Sequence, residues 1–498
     1  MSVTALPPLL VVVPLLGAAV LLALRSRIDV QQVVSVLTSA GQLALAIALL
    51  VQVHDGGVAR ARIGGWPGGL GITLVGDPLA AILVVVAAAT LLAVLVFAMG
   101  QLEDSEERRF FHPLYQVLSA GIALSFLTGD LFNLFVAFEI TLAASYVLLL
   151  LATGRGLIRP GISYVVINLI GSTLLLLAVA FIYAATGTVD MNVAAERLAE
   201  LPDYLNTALR LLLVVVFGIK AAVFPLFNWL PDSYPTAPTA ITAVFAGLLT
   251  KIGVYALIRT QGQVFGMAGG PPDALLLWVA GLTMIIGVLG ALAQDDIKRI
   301  LSFHIISQVG FMIMGLGIFS VAGLAGAILY MVHHIPTKTA LFLVAGLVTK
   351  RAGTSSLAGV GGLISTAPVT AALFIPFALS LGGIPPLSGF IAKLSLVQAG
   401  LAPDLWWVVA ARLVASLLTI VSMAKVWNGA FLGRPPEDPP PAPSQRGTGL
   451  MTSATVGVLL ATVFVVVAAG PITRASTVAA EHLLVPTGDD VVVEEDGQ

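Results

Sequence analysis

The residues best suited to chemistry are basic side chains that fall inside long apolar segments. The ionisable groups at mid-segment depth are Glu139, Lys220, Lys251, Lys338, Lys393, Arg412, Lys425, His304, His333 and His334. One charge at the centre of a membrane-spanning helix costs roughly 2.5–3.5 kcal/mol, so such groups persist when they pair, face a hydrated cavity or titrate. Glu139 is the only carboxylate in the set, so several bases have no acid with which to pair permanently.

An excess of buried amines of this kind can carry protons. Burial in a low-dielectric environment favours the neutral amine, whereas a neighbouring carboxylate favours the charged form. Movement of Glu139 toward or away from a lysine would therefore switch that lysine between holding and releasing a proton. A row of lysines and histidines spaced by water molecules predicts a proton relay that needs no metal and no cofactor.

Structural interpretations of the same charged residues remain open. Glu139 and a lysine can form a fixed ion pair that only sets geometry. Lys338 can extend its ammonium toward the membrane interface, although it lies deep in its segment. Lys393 follows a helix break and has no acid nearby in the sequence. Arg412 and Lys425 are expected to be structural or to lie near the surface.

The histidines divide in the same way. His304 is equally compatible with a satisfied hydrogen bond between helices and with membership of the relay. His333 and His334 are neighbours in the sequence. Because adjacent helical residues point about 100° apart, both cannot line one path equally.

The composition predicts a protein embedded in a membrane. Of the 498 residues, 58% are hydrophobic and only 10% are charged, and the mean hydropathy is +1.02. A soluble protein of this length needs more charge to cover its surface. Continuous apolar runs of about 18 residues or more recur along the chain and match helices that cross roughly 30 Å of hydrocarbon. The strands of a β-barrel alternate apolar and polar residues and are shorter, so these continuous apolar runs exclude a barrel.

Other classes of protein are excluded by what the sequence lacks. It contains no cysteine, which removes disulfides, thiolate-bound metals and iron–sulfur clusters. It also contains no P-loop and no dinucleotide-binding fingerprint. A net charge of −2 without a basic patch gives no reason to expect a nucleic-acid partner.

The apolar runs predict an all-α membrane protein with about 14 transmembrane helices. Four regions follow: N-terminal helices 1–3 at residues 1–112, a first five-helix unit (helices 4–8) at 113–262, a second (helices 9–13) at 263–432, and a proline-rich loop, last helix and acidic tail at 433–498. The predicted spans include Leu6–Leu24, Val33–Val53, Ile162–Ala185, Ala208–Trp229, Thr236–Arg259, Ala274–Ala293, Ile300–Phe319, Leu324–Thr349, Pro368–Leu401, Leu405–Phe431 and Met451–Ala469.

Three further segments have a predicted place. The glycine-rich stretch Gly64–Gly76 is expected at the membrane interface, and the amphipathic segment Asn192–Leu205 leads into the seventh span. The tail from Gly488 is acidic and is expected to be disordered.

Two predicted spans carry helix breakers at their centres. The seventh contains Lys220-Ala-Ala-Val-Phe-Pro225, and the twelfth contains Pro385-Pro386 upstream of Lys393. Discontinuous helices in corresponding positions of two halves indicate a transporter site. Lys220 and Lys251 are 31 residues apart, and Lys393 and Lys425 are 32 apart, which supports a repeat. With five spans in each unit, the two copies are expected to be inverted.

The distribution of arginine and lysine predicts orientation. One set of alternate loops carries Arg25, Arg27, Arg108, Arg109, Arg155, Arg159, Lys298, Arg299, Lys350, Arg351, Arg434 and Arg446. The opposite set carries Arg60, Arg62, Arg197, Arg259 and Arg474, with Arg210 at a span end. By the positive-inside rule the first set is cytoplasmic, so both termini of this multi-pass cell-membrane protein are expected outside. The first residues lack a basic leader and a cleavage site, which favours a first span over a signal peptide.

Six stretches of sequence form a specific pattern. They are Gly129-Asp-Leu-Phe-Asn-Leu-Phe-Val-Ala-Phe-Glu139-Ile, Lys220-Ala-Ala-Val-Phe-Pro-Leu-Phe-Asn-Trp-Leu-Pro-Asp232, Leu249-Thr-Lys251-Ile-Gly-Val-Tyr255, Ile297-Lys-Arg-Ile-Leu-Ser-Phe-His304-Ile-Ile-Ser-Gln308, His333-His-Ile-Pro-Thr-Lys338-Thr-Ala-Leu-Phe342 and Gly382-Gly-Ile-Pro-Pro-Leu-Ser-Gly-Phe390. Together they resemble the antiporter-like subunits shared by Mrp antiporters, respiratory complex I and membrane-bound hydrogenases. The resemblance covers roughly Leu6 to Leu432.

The resemblance implies roles for individual residues. Glu139 and Lys220 look like the family's switching ion pair. Lys251 resembles the central relay lysine, and His334 with Lys338 resembles the relay of the eleventh span. Ala137 and Pro336 depart from the family pattern: an aromatic residue is expected before the carboxylate, and an aliphatic residue between the eleventh-span histidine and lysine.

Lys393 resembles the family's terminal group near an aqueous exit, and His304 and His333 are secondary candidates. A lysine at this twelfth-span position, where the nearest complex I relative carries glutamate, favours the D-type members of the Mrp branch. The stretches Gly71–Asp77 and Ala144–Leu149 are also similar to those members.

The resemblance implies a subunit that exchanges protons for sodium or another monovalent cation, in a hetero-oligomeric complex with other Mrp antiporter subunits in the lipid bilayer. It implies a secondary transporter subunit, not an enzyme. The alternative is a proton-pumping membrane-arm subunit of a complex I or a membrane-bound hydrogenase, powered by electron transfer in its partners. A third interpretation is a non-conducting scaffold that only holds partner subunits.

Overall fold

The computed structural model describes residues 3–54, 57–66, 71–102, 110–151, 158–266, 271–402, 404–435 and 444–484. The N-terminal helices are α1 Leu6–Ala23, α2 Ile28–Val53 and α3 Pro78–Gln101. Between α2 and α3, strand β1 (Ala59–Arg62) pairs antiparallel with β2 (Thr73–Gly76). The glycine-rich stretch therefore ends in a strand of a short hairpin, which is the one sheet in the described residues of this otherwise all-α fold.

In the described residues, the first half continues with seven helices. They are α4 Phe111–Leu127, α5 Leu131–Leu149, α6 Ile158–Thr186, α7 Met191–Ala199, α8 Asp203–Ala221, α9 Trp229–Ser233 and α10 Thr239–Val264. The predicted break of the seventh span, in the segment from Lys220 to Pro225, is found between α8 and α9. Helix α8 ends at Ala221 because Ala222 adopts a left-handed conformation with φ of 59°, and the chain re-enters a helix only at α9.

The second half contains the remaining helices. They are α11 Pro271–Leu292, α12 Ile297–Gly317, α13 Val321–Ala352, α14 Leu363–Thr366, α15 Pro368–Gly382, α16 Ser388–Leu401, α17 Trp406–Leu432, α18 Thr448–Val467 and α19 Ala469–Leu484. The predicted break of the twelfth span is found between α15 and α16, where Gly383 turns the chain with φ of 87°.

Helix α19 was not predicted. Its buried residues Ser476, Ala479, Ala480 and Leu483 recur at helical spacing on one face, as expected for an amphipathic helix. This pattern is weaker than the apolar run of a membrane span, so hydrophobic runs alone do not reveal the helix. The proline-rich loop, apart from Pro435, and the acidic tail lie outside the described residues.

The membrane character of the chain is confirmed. In the described residues, 12 helices are long and apolar enough to cross a membrane, and Phe111–Leu127 and Pro368–Gly382 are shorter apolar helices. The number of about 14 spans stays a prediction. Helices α10, α12 and α13 form the centre, since their apolar windows are 94–100% buried, whereas those of α2 and α18 are 28% buried.

Aspartate caps fix the start of α5 and α12. Asp130 accepts a hydrogen bond from the Asn133 amide at 2.6 Å and begins α5, and Asp296 accepts one from the Arg299 amide at 3.0 Å and begins α12. Each also forms an antiparallel bridge with a residue 60 positions later, Asp190 and Ser356 respectively. This parallel between the halves supports the predicted repeat, whose inverted arrangement stays a prediction.

Candidate functional site

Four buried lysines lie on four different helices of the central region. We call Lys220 (α8), Lys251 (α10), Lys338 (α13) and Lys393 (α16) the lysine line; each is at most 4% exposed. The ion pairs of the described residues join other groups: Arg210 with Asp273, Arg259 with Asp77, Arg299 with Asp232, and Lys425 with Asp295. Within the described part of the chain, no carboxylate therefore lies within ion-pair distance of an ammonium of the lysine line.

Lys220 occupies the last turn of α8, where the carbonyl end of a helix favours a positive charge. Its Nζ donates hydrogen bonds to the carbonyl oxygen of Asn168 and to Oγ of Ser172, both on α6 and both at 2.9 Å. It also lies 5.6 Å from the centre of the Phe138 ring on α5. Helix α6 and the aromatic face therefore hold the ammonium without a countercharge.

Glu139 is the next residue on α5 and is half-buried. Its Oε1 is shielded from solvent and has no hydrogen-bond partner in the described residues. Glu139 and Lys220 are not within ion-pair distance in this structure, so the predicted pair is not closed here. Glu139 directly follows Phe138, whose ring covers Lys220, and the two side chains point about 100° apart on α5.

A small cavity of about 20 Å³ adjoins Lys220. Its wall includes Asn168 on α6 and Tyr234 after α9, together with Leu249 and Ile252, which flank Lys251 on α10. The Tyr234 hydroxyl is buried without a hydrogen-bond partner in the described residues. A polar space of roughly 10–15 Å³ is enough for one water molecule. The cavity therefore connects the surroundings of Lys220 with the turn that carries Lys251.

Lys251 follows a π-helical turn, Phe245–Leu249, inside α10. Its Nζ donates to the Ala246 carbonyl oxygen at 2.6 Å and to the Thr250 hydroxyl at 3.2 Å. Such π turns are frequent at functional sites because they change the pattern of backbone bonds. Nearby, a Cβ on Gly253 would lie 2.6 Å from the Ala221 nitrogen, so only glycine lets α10 approach the end of α8 this closely.

Helix α13 continues without interruption through Pro336, so His334 and Lys338 keep their i,i+4 relation on one face. Lys338 Nζ is buried without a hydrogen-bond partner in the described residues, and so are both ring nitrogens of His334. The ring centres of His334 and Tyr330 are 6.1 Å apart, and Lys338 Nζ lies 5.8 Å from the Phe342 ring. The π turn of α10 packs on this part of α13.

His333 points in another direction and is connected by hydrogen bonds. Its Nδ1 lies 2.9 Å from Oγ of Ser388 and 3.3 Å from the Thr337 hydroxyl. Oγ of Ser388 is in turn 3.2 Å from Oγ of Ser380. These two serines stand on opposite sides of the break between α15 and α16, so His333 contacts the broken helix directly.

Lys393 reaches back across the same break. Its Nζ donates to the carbonyl oxygens of Leu381 at 2.9 Å and Gly382 at 3.1 Å, which are the unpaired carbonyls at the end of α15. It lies 5.0 Å from the Phe311 ring. The carbonyl end of one half-helix therefore stabilises the cation carried by the other.

The sequence predicts that Arg412 is structural or lies near the surface, and the structure places it in the interior. It is 2% exposed, and its guanidinium donates to the Lys393 carbonyl oxygen and lies 5.6 Å from the Phe311 ring. These contacts fit the structural alternative. Lys425, by contrast, is partly exposed and binds Asp295 at 2.8 Å, as expected for a residue near the surface.

His304 on α12 is fully buried and its Nε2 lies 2.9 Å from Oγ of Ser422 on α17. Its Nδ1 has no partner in the described residues. One turn later, Gln308 accepts a hydrogen bond from the Tyr330 hydroxyl. One ring nitrogen of His304 is therefore hydrogen-bonded and the other is not. The geometry is compatible with a structural hydrogen bond between helices and with membership of the relay.

Sequence reasoning did not single out the neutral members of the site. They are Asn168, Ser172, Tyr234, Ser380 and Ser388. Hydroxyl and amide groups in an apolar run are common helix-to-helix contacts, so their types alone gave no signal. No group of three or more His, Asp or Glu in the described residues could hold a metal ion.

Comparison with known proteins places these features in a family. The family described as NADH:quinone oxidoreductase/Mrp antiporter, TM matches residues 128–419. The D subunit of the Na(+)/H(+) antiporter of Alkalihalophilus pseudofirmus is 41% identical over 479 residues, which cover 96% of this chain and 97% of the relative. The protein of the same name from Bacillus subtilis is 36% identical over 91% of this chain and 92% of its own.

A solved structure gives the same result. A chain in the structure of the Mrp complex from Dietzia sp. superposes with a TM-score of 0.90 at 33% identity, covering 98% of each chain. The family match at residues 128–419 includes the whole lysine line together with Glu139. The relatives extend this similarity over nearly the full sequence. The chain therefore belongs to the NADH:quinone oxidoreductase/Mrp antiporter family of membrane subunits.

Proposed function

We propose that this chain moves protons as one subunit of a multisubunit Na⁺/H⁺ antiporter in the cell membrane. The lysine line carries the proposal: four buried amines on four helices have no acid within ion-pair distance in the described residues. Buried ionisable groups in membrane proteins mark ion pathways. Relatives that cover nearly the whole chain are named as D subunits of Na(+)/H(+) antiporters, which supports sodium as the exchanged cation.

The first half of the path runs from Lys220 to Lys251. The cavity beside Lys220 reaches the residues that flank Lys251, and the Tyr234 hydroxyl offers a group that can both donate and accept a hydrogen bond. Glu139 acts as the switch. When its carboxylate moves toward Lys220 it favours the charged amine, and when it moves away the proton is released.

The second half runs along α13 to the second broken helix. Lys338 and His334 face the centre without fixed partners in the described residues, so each can exchange protons with mobile groups. His333 continues the path through Ser388 and Ser380 toward the helix break, where the Lys393 ammonium binds the Leu381 carbonyl oxygen. Hydroxyl and imidazole groups can pass a proton because each both donates and accepts hydrogen bonds.

Replacement of Lys338 by alanine tests the proposal. We expect sodium-driven proton movement in inverted membrane vesicles to fall by about 100-fold or more in Lys338→Ala, since a positioned proton-transfer group contributes about 10²–10⁴-fold. Lys425→Ala is the matched control, because that lysine is partly exposed and paired with Asp295, and it should transport nearly as the wild type.

The same experiment separates the alternatives. If Lys220→Ala, Lys338→Ala and Lys393→Ala all assemble with their partners and transport normally, the chain is a scaffold and the proposal is wrong. Identification of the copurifying subunits tests the driving force. Other Mrp antiporter subunits support the antiporter, whereas subunits that carry flavin or iron–sulfur clusters favour a proton pump of a redox complex.

Orientation can be tested with single cysteines because the chain contains none. We propose that both termini face outward, which places Tyr204 outside and Ser444 inside. Tyr204 is 77% exposed and Ser444 is also exposed. A membrane-impermeant maleimide added to intact cells should label Tyr204→Cys and not Ser444→Cys. The opposite labelling pattern would contradict the orientation.

A further inference from the structure

A large cavity lies behind the relay, between helices α2, α3, α13, α18 and α19. Its volume is about 1060 Å³ and its wall is almost entirely aliphatic, with residues such as Leu50, Val86 and Val465. This volume is slightly above the range of small-molecule sites, about 300–1,000 Å³. The mostly apolar wall offers few polar groups to hold the water molecules of a proton path.

The basic residues of the wall are gathered at one end. His54 follows the last residue of α2, and Arg474 lies in the second turn of α19. The last residues of α3 contact the start of α18, because Gly100 packs on Gly447. Helix α18 therefore runs antiparallel to α3, and its last residue, Val467, lies near the first residues of α3. The end of α2 and the start of α19 lie at this same end of the cavity. Among the described residues, no acidic side chain lines the cavity.

A basic end joined to a long apolar body fits an amphiphile that carries a negative headgroup. We infer that the cavity binds a phospholipid of the bilayer, with its acyl chains between α3 and α18 and its phosphate at Arg474 and His54. Arginine binds phosphate through two parallel N–H donors. The cavity is reached from the membrane, because Phe464 in its wall is 65% exposed.

Two features of the wall favour a lipid over a helix of a partner protein. The wall consists of five elements of this one chain, and its basic residues stand together at one end of a long aliphatic space. Flexible acyl chains joined to an anionic headgroup match both features.

The site lies against the helix that carries the relay histidines. Val332 and Pro336 are four residues apart on α13 and both line the cavity. His334 lies midway between them and therefore faces the opposite side of the helix. The lipid thus contacts the back of the relay turn, and its binding does not depend on the proposed proton transfer.

Glycines on α18 provide a matched pair of variants. A Cβ on Gly457, which lines the cavity, would meet no atom within 4 Å, and the same is true of Gly449, which does not line it. Gly457→Phe should fill the acyl region, and Gly449→Phe should add the same bulk elsewhere on the helix. Each methylene group displaced weakens binding, so we expect about tenfold less retained phospholipid in Gly457→Phe and no change in Gly449→Phe.

The measurement uses the intact complex purified in detergent. Retained phospholipid is quantified by mass spectrometry, and phosphatidylglycerol is then added back to delipidated protein while the unfolding temperature is recorded. Arg474→Gln, an exposed position that should not disturb folding, is expected to bind phosphatidylglycerol about tenfold more weakly because it loses a charged hydrogen bond. Equal lipid retention and equal response in wild type, Gly457→Phe and Arg474→Gln would overturn the inference. A partner-protein segment seen inside the cavity in the assembled complex would overturn it too.

Discussion

Two regions of the molecule bury polar side chains at membrane depth, and they differ in how those side chains are satisfied. The first is the lysine line. The second, which we call the glutamine–serine seam, joins α2 to α1 and α4 and consists of Gln31, Ser35, Ser39, Gln42, Gln116 and Ser119. Every residue of both regions is at most 4% exposed. Burial and polarity alone therefore do not distinguish a transport path from a structural contact.

The seam is neutral and almost fully bonded. The Gln116 amide donates to the carbonyl oxygen and Oγ of Ser35 at 3.1 and 3.0 Å, and to Oγ of Ser39 at 3.0 Å. The Ser119 hydroxyl donates to the Gln42 side chain at 2.5 Å. Groups locked together in this way hold helices in register, and none of them titrates near neutral pH.

The lysine line has the opposite character. Lys338 Nζ and both nitrogens of His334 lack partners in the described residues, and Lys251 and Lys393 bind backbone carbonyls that cannot accept a proton. A buried amine without an acid in ion-pair distance also costs stability when it is charged. The persistence of such amines on four helices is explained when they bind and release a mobile proton.

Replacement of a lysine of the lysine line by a neutral amide, like those of the glutamine–serine seam, should have the largest effect on transport. In Lys251→Gln, the amide can still donate to the Ala246 carbonyl oxygen but cannot carry a proton. We expect sodium-driven proton movement to fall by about 100-fold or more, while the thermal stability of the complex does not fall, since a buried ionisable group has been removed. Transport at the wild-type rate would show that Lys251 belongs with the seam. Lys425→Gln provides the control.

Removal of the switch charge should have a smaller effect. Glu139→Gln keeps the shape of the side chain but abolishes its attraction for the Lys220 ammonium. A nearby opposite charge changes proton affinity by about tenfold or more, so we expect the transport rate to fall by about tenfold. The measurement is the initial rate of proton movement at several sodium concentrations. Glu196→Gln, on the amphipathic α7 outside the central region, is the control and should transport as the wild type does.

The serine bridge tests how far the relay extends. Ser388→Ala removes the hydroxyl between His333 and Ser380 without removing a charge. If protons pass through this hydroxyl, the rate should fall about threefold to tenfold, since one hydrogen bond is worth about 0.5–1.5 kcal/mol. Ser395→Ala, two turns later on α16, is the matched control. Equal rates in the two variants would exclude Ser388 from the path and leave His334 as the link to Lys393.

Much of this architecture follows from the sequence because its signals are local. Apolar runs fix the helices, and Pro385-Pro386 predicts the break between α15 and α16. A lysine in an apolar run is visible without any neighbour. The uninterrupted α13 shows the limit of such reasoning, since Pro336 alone does not reveal whether surrounding helices hold the chain straight.

The remaining features depend on contacts that the sequence does not encode locally. The burial of Arg412 requires knowledge of which side of α17 faces Lys393. The partner of His333 lies 55 residues away, and the left-handed Ala222 that ends α8 occurs at a residue type that rarely adopts this conformation. The distance between Glu139 and Lys220 depends on how α5 packs against α8. The sequence therefore predicts that the two residues can pair but not whether the pair is formed in a given state.

A substitution in the seam should affect stability and leave transport intact. Gln116→Leu keeps the volume but removes the bonds to Ser35 and Ser39. Hydrogen bonds between membrane helices contribute about 1 kcal/mol, so we expect a lower unfolding temperature, measured in detergent, and an unchanged transport rate per folded complex. Gln398→Leu, at an exposed position on α16, should change neither quantity. A transport defect in Gln116→Leu as large as that of Glu139→Gln would mean that protons also use the seam. Burial of titratable groups without a countercharge would then no longer be the property that identifies the path.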